Sequence, residues 1–130
     1  MLNDILALEY LKIKQKYLLK NALKEMNQGK KITHWAWWAF PIFTPGMSEP
    51  FPKTYLTNET IKDFLKTYPK EWKELMIKIE INLKKGKNIK SIFPNIDLPR
   101  IRKFLEIMKK QKNKKKWLSK LIKQMEYSFL

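Results

Sequence analysis

The chain has 130 residues, 44% of them hydrophobic and 13% aromatic, which excludes a disordered polycation and predicts one folded domain over 1–130. It has no cysteine, so disulfides, a thiol nucleophile and thiolate zinc sites are excluded, and its single histidine excludes most histidine-based metal sites. We therefore expect no metal and no cofactor. The formal net charge of +16 directs attention to anionic partners.

A first helix is predicted from a cap at Asn3 or Asp4 to a stop at Gly29, because apolar residues recur at helical spacing between them. Four prolines between Pro41 and Pro52 then exclude both a helix and a central strand. We expect this Pro-rich loop to be ordered, because its apolar residues are too many to leave in water: Ile42, Phe43, Met47 and Phe51.

Further helices follow in the second half of the chain. Thr57 can cap a short helix, Pro69 begins a strongly amphipathic one that stops at Gly86, and Asp97 with Pro99 opens another. A last helix carries apolar residues from Leu118 to Phe129, and no run of alternating β-branched residues predicts a strand. The sequence thus predicts an all-α fold, a compact bundle of five or six helices with one ordered Pro-rich loop.

The segment from Gly29 to Pro41 holds three of the five tryptophans and the single histidine. As a helix it would place His34, Trp35 and Trp38 on one face, and as a strand it would align His34 with Trp38; the helical surroundings favour the helix. The aromatic rings are either part of the core or the wall of a pocket, and the sequence leaves both possibilities open.

If the segment forms a pocket, it predicts a ligand site. The expected ligand-binding residues are Lys31, Thr33, His34, Trp35, Trp37 and Trp38. For catalysis, His34 is the expected acid or base, since histidine is the side chain that changes charge near neutral pH, and Glu49 is the carboxyl group expected to assist it. The sequence contains no nucleophile elbow and no Gly-rich phosphate loop.

The stretch GKKITHWAWWAFP resembles the signature of a known family: a Gly and a basic residue, followed by Ser/Thr-His-Trp-x-Trp-x-x-Phe-Pro. The family is number 1810 in the domain-of-unknown-function series, bacterial and viral, and is often labelled calpastatin-like. The resemblance extends over about residues 17–107 and includes an Ile-Phe-x-x-x-Asp stretch at Ile92–Asp97. It implies a mainly α-helical fold and no particular chemistry. The chain departs from the family pattern at Ile42, where Gln is usual.

Positive charge is concentrated in the C-terminal third. Between Lys84 and Lys123 there are 15 Lys and Arg residues against Asp97 and Glu106, a net +13, and we expect a basic helical extension from about residue 109. The excess of Lys over Arg indicates an AT-rich genome, viral or microbial. The residues expected to contact nucleic acid are Arg100, Arg102, Lys103, Lys109, Lys110, Lys112, Lys114, Lys115, Lys116, Lys120 and Lys123.

These patterns favour a small intracellular protein, since the chain begins without a secretory signal and contains no apolar run long enough to span a bilayer. The function predicted first is binding of nucleic acid through its phosphate backbone, without sequence preference, with a nucleotide-like ligand as a further possibility. Two alternatives stay open. One is a hydrolase or transferase that uses His34 on a nucleotide-derived substrate, and the other is an adaptor for an acidic protein. A solvated lysine face or a membrane surface would also account for the charge.

Overall fold

The computed structural model describes residues 2–44 and 49–130, and all regular structure in those ranges is helical, which confirms the all-α prediction. These two ranges contain eight α-helices and one short 3₁₀ helix. The α-helices are α1 Leu2–Leu18, α2 Lys20–Gln28, α3 Ala36–Ala39, α4 Thr60–Thr67, α5 Lys70–Lys84, α6 Ile89–Ile92, α7 Leu98–Lys109 and α8 Lys116–Ser128, and the 3₁₀ helix is Asn95–Asp97.

The structure has more helices than the five or six predicted. The predicted first helix is divided into α1 and α2, and the count also includes two very short helices, α3 and α6. The predicted first helix breaks at Leu19, whose φ and ψ of −85° and 1° let its side chain enter the core. Leu18, the last residue of α1 before the break, is exposed. The predicted stop at Gly29 is confirmed, since this residue takes the left-handed conformation with φ 84°.

The long amphipathic helix α5 is the centre of the molecule, and α1, α2 and α8 all pack against it. Its Trp72 is fully buried and lies edge-on to Phe64, Phe104 and Trp117, with ring centroids 4.9 to 6.4 Å apart. Such edge-to-face pairs add to the free energy gained from burying the rings themselves. Residues distant in the chain are thereby joined in one core.

The C-terminal helices α7 and α8 form an antiparallel hairpin. Lys109 Nζ lies 3.2 Å from a Glu126 carboxylate oxygen, and the Arg102 guanidinium lies 4.1 Å from the centroid of the Phe129 ring. The apolar side of α8 joins the same core as the other helices, through Leu118, Leu121, Ile122 and Met125. The basic residues after 109 therefore belong to the body of the fold.

Parts of the Pro-rich loop are buried as expected, and one part is not. Ile42 is buried, and its carbonyl accepts a hydrogen bond from the Leu56 amide at 3.0 Å. Phe51, which we expected to be buried, is 88% exposed. Pro45 and Met47 lie outside the described residues. Within the described ranges, no helix has the length and apolar character needed to cross a membrane.

Gly29 and Gly86 offer a matched test of the packing where α2 ends. Both have positive φ, but a Cβ at Gly29 would overlap the end of the Lys87 side chain and lie 3.1 Å from the buried Asn82 Oδ1, whereas a Cβ at Gly86 would meet nothing within 4 Å. Asn82 cannot easily yield, since its amide donates to the carbonyls of Met26 and Lys78. We expect G86A to lower the free energy of unfolding by about 1 kcal/mol, from backbone strain alone, and G29A by about 2 kcal/mol. Urea denaturation measures both, and equal losses would contradict the packing argument.

Candidate functional site

The chain leading into the tryptophan segment is held by the carboxylate of Glu25 on α2. Its Oε1 accepts hydrogen bonds from the amides of Ile32 at 2.7 Å and Thr33 at 3.0 Å, and from the Trp35 indole at 2.8 Å. Its other oxygen accepts from the Thr33 hydroxyl at 2.5 Å. One buried carboxylate thus fixes the backbone over residues 32–35.

These hydrogen bonds set the charge state of Glu25. Burial acts to raise the pKa of its carboxyl group, but the donors from Thr33, Ile32 and Trp35 favour the ionised form and together lower that pKa below its ordinary value of 4.5. The group is therefore an anion at neutral pH. Its donors are backbone amides, a hydroxyl and an indole, all of them neutral.

The short helix α3 is fixed by side chains that cap its C-terminal carbonyls. Helix ends leave such carbonyls without intrahelical partners, and here the carbonyls of residues 37–40 each receive a donor from another element. In that order the donors are Arg100 Nη2 at 3.0 Å, Gln15 Nε2 at 2.8 Å, Trp72 Nε1 at 2.9 Å and Arg100 Nε at 2.8 Å. Helices α1, α5 and α7 therefore all hold α3 in place.

The tryptophan segment contributes both to the core and to a surface pocket. Trp35 is 1% exposed and Trp38 is 8% exposed, so neither ring offers a face to a ligand, and both are part of the core rather than of the expected ligand site. Trp37 is half-buried, and His34 is exposed. The rings of His34 and Trp37 are neighbours, with centroids 6.1 Å apart and planes inclined by 39°.

His34 and Trp37 line a cavity of about 570 Å³ between α3 and the start of α7. Its polar wall contains the ion pair of Lys31 Nζ with Asp97 Oδ2 at 2.9 Å, together with Arg100 and Lys103. The apolar wall consists of Ala36, Ile42, Ile96 and Pro99. Three of the expected ligand-binding residues, Lys31, His34 and Trp37, thus meet at one pocket.

Thr33 and Glu49 occupy different places from those expected. The Thr33 hydroxyl is committed to Glu25, and Thr33 is not among the residues that line the pocket. Glu49 is buried, and its Oε1 lies 2.5 Å from Arg100 Nη1. This carboxylate balances the guanidinium that caps α3, and it is not among the residues that line the pocket with His34.

Asp97 is the charged residue of the pocket that was not among the expected site residues. Its carboxylate lies at the pocket wall, where the buried ammonium group of Lys31 neutralises it. The available signal was the Ile92–Asp97 stretch, which is part of the family resemblance. Within residues 2–44 and 49–130, no group of three or more His, Cys, Asp or Glu residues is placed to hold a metal ion.

The residues expected to bind nucleic acid do not share one face. Arg100 and Lys103 belong to the pocket, Arg102 and Lys109 lie in the seam between α7 and α8, and Lys114 Nζ donates to two carbonyls at the turn. Lys115 lies over the Tyr68 ring, and Lys110 and Lys112 are exposed near the same turn. Only three form a clear stripe, on the side of α8 opposite its core face: Lys116, Lys120 and Lys123.

Comparison with known proteins gives one match. The family model described as "Protein of unknown function (DUF1810)" matches residues 6–127, a longer range than the 17–107 over which the resemblance was expected. The match includes α8 and most of α1. No curated protein and no solved structure matches the chain.

Replacing Glu25 tests whether its carboxylate holds the site. In E25Q the side-chain NH₂ group would face donors rather than accept from them, and we expect the free energy of unfolding at pH 7 to fall by about 2 kcal/mol. E74Q is the matched control, because Glu74 is exposed on α5, and it should leave stability within about 0.5 kcal/mol.

The same variant tests the pH dependence. Because the folded-state pKa of Glu25 is depressed, its stabilisation is present above pH 4.5 and is lost as the pH falls through the lower folded-state value. We therefore expect the stability margin of wild type over E25Q to shrink as the pH falls below 4.5, measured by urea denaturation across the acid range. A margin independent of pH would show that the Glu25 charge does not stabilise the segment.

Proposed function

The chain belongs to the DUF1810 family of proteins of unknown function, and we propose that it binds a nucleotide-class ligand in the pocket beside α3. The observation that carries the proposal is the pairing of exposed His34 with the Trp37 ring at the mouth of a 570 Å³ cavity that also contains Lys103. An aromatic surface next to a cation suits a planar base joined to a phosphate.

The aromatic part of the pocket would hold the base. Trp37 keeps one side against the core and turns its remaining surface toward the cavity, and the Arg100 donor to its carbonyl fixes the backbone beneath it. A rigid indole loses little conformational freedom on binding, and stacking of a base on such a ring contributes about 1–3 kcal/mol. His34 lies beside it as a second ring or a hydrogen-bonding partner.

The charges of the pocket favour a ligand with few phosphates. The ammonium of Lys31 and the guanidinium of Arg100 are already matched by Asp97 and Glu49. Lys103, by contrast, has no ion pair with any carboxylate in the described parts of the chain. One uncompensated ammonium group beside an imidazole suits a monophosphate better than a triphosphate, which would need several cations or a metal ion.

Binding of adenosine monophosphate, with adenosine and inorganic phosphate as partial ligands, tests this proposal. We expect W37L and K103Q each to weaken monophosphate binding about tenfold, which corresponds to about 1.4 kcal/mol. K110Q is the matched control, because Lys110 is exposed immediately after the end of α7 and lies outside the pocket lining. Calorimetry measures the dissociation constants.

The partial ligands separate the two halves of the pocket. K103Q should leave adenosine binding unchanged while W37L weakens it, because only the indole contacts the base. Monophosphate binding that none of these substitutions alters, or that K110Q alters equally, would rule out this pocket. Catalysis by His34 stays a prediction, and it requires turnover that H34Q abolishes while binding persists.

A second candidate function is contact with the phosphate backbone of nucleic acid through α8. The specific observation is the outward stripe of Lys116, Lys120 and Lys123, none of which pairs with a carboxylate among the described residues. Like charges at this spacing repel one another, and a row of phosphates would relieve that repulsion. Lysine contacts of this kind carry no sequence preference.

The salt dependence of binding to duplex DNA tests this candidate. Removal of the three ammonium groups in K116Q/K120Q/K123Q should reduce the slope of log affinity against log salt by about 2–3, because each phosphate contact contributes about 0.9. The control K62Q/K66Q/K70Q removes the same charge from exposed positions elsewhere. Equal changes in both variants would show that total charge, and not the α8 stripe, governs the affinity.

A further inference from the structure

Helix α1 is apolar on two opposite sides, and only one of them meets the core. Its buried side carries Ala7, Leu8, Leu11 and Gln15. The other side is a stripe of six apolar residues, each between 38% and 70% exposed, which we call the outer stripe: Leu2, Ile5, Leu6, Tyr10, Ile13 and Tyr17. Their spacing of three and four residues places them along one face, directly opposite the buried one.

The outer stripe is a large apolar surface that follows the whole length of α1. From Leu2 to Tyr17 it runs about 22 Å along the helix. Six side chains, each exposed by about half of an area near 200 Å², present about 600 Å² of apolar surface. Contiguous patches of that size on soluble proteins mark interaction sites.

We propose that the outer stripe binds the same stripe of a second copy of this chain, antiparallel, about a two-fold axis near Tyr10. The pattern is self-complementary in that direction. Leu2 of one copy lies opposite Tyr17 of the other and Leu6 opposite Ile13, and the two Tyr10 side chains lie close together beside the axis. Such a closed two-fold interface uses one surface patch twice.

Charge complementarity along one edge of the stripe supports this arrangement. Glu9 and Lys12 lie on that edge and form an ion pair at 2.9 Å within one helix. In the antiparallel pair the two-fold axis brings these edges of the two copies together, and Glu9 of each copy lies opposite Lys12 of the other. In a parallel two-fold pair these edges would lie on opposite sides of the seam, so Glu9 of one copy would not meet Lys12 of the other.

The position of α1 also favours pairing. The positive charges of the C-terminal third would repel those of a second copy, but they lie on other helices. Residues 2–18 carry Asp4 and Glu9 against Lys12, Lys14 and Lys16, a net charge of only +1 in a chain of +16. Helix α1 packs against α2, α3, α4 and α5, whereas α8 packs against α5 and α7. With its charged rim, the stripe approaches the roughly 800 Å² per partner that a specific dimer buries.

Sedimentation analysis tests the proposal, with Ile13→Glu as the disrupting variant. We expect wild type at about 100 μM to sediment as a dimer, because a complex with a dissociation constant of a few micromolar is mostly associated at that concentration. I13E should be a monomer. I81E is the matched control, because Ile81 on α5 is similarly exposed but lies outside the stripe, and it should stay dimeric. Circular dichroism checks that both variants remain helical.

Cross-linking tests the direction, because the chain has no cysteine of its own. An equimolar mixture of L6C and I13C should form a disulfide-linked dimer on oxidation, whereas each variant alone should not, since like positions lie about 10 Å apart along the antiparallel seam. Cross-linking of L6C to itself would overturn the antiparallel arrangement. A monomeric wild type would overturn the dimer, as would a monomer that uses this stripe to bind phosphatidylserine vesicles.

Discussion

The carboxylate of Glu25 is the contact on which the arrangement of the site depends. By accepting four hydrogen bonds from residues 32–35, it turns the chain so that Trp35 enters the core while His34, one residue earlier, remains at the surface. Burying an anion costs free energy unless it accepts hydrogen bonds, and burying the amides of a loop costs free energy unless they have acceptors. Here each group satisfies the other, and the result is a fixed entry into α3.

The walls of the pocket are likewise held together by polar groups that satisfy one another. Arg100 caps two carbonyls of α3 and is neutralised by Glu49, while Lys31 is neutralised by Asp97. These pairs hold α7 and the 3₁₀ helix against the tryptophan segment. Because their charges cancel, Lys103 is left as the pocket cation without an ion pair in the described chain, and this balance, rather than the total charge of +16, sets the charge of the pocket wall.

Sequence periodicity predicted the helices well where they are long, and less well where the chain breaks or charges pair. The stops at Gly29 and Gly86 and the apolar side of α5 follow from local chemistry. The break at Leu19 does not, because a leucine is a good helix former and only tertiary packing selects the bend. The roles of Glu25, Glu49 and Asp97 also escaped prediction, since a carboxylate's partner is set by the fold and not by its neighbours in sequence. In the same way, counting lysines gave the charge of the C-terminal third but not the directions in which the side chains extend.

The capping of α3 has a consequence for how this segment can be studied. Its four terminal carbonyls are satisfied by donors 23, 33, 60 and 63 residues away in the chain. A peptide of residues 29–41 would therefore lack the donors that hold this conformation. Transfer of the segment to another scaffold would transfer its sequence but not its conformation. The signature can be recognised in thirteen residues, but its conformation depends on contacts from nearly the whole chain.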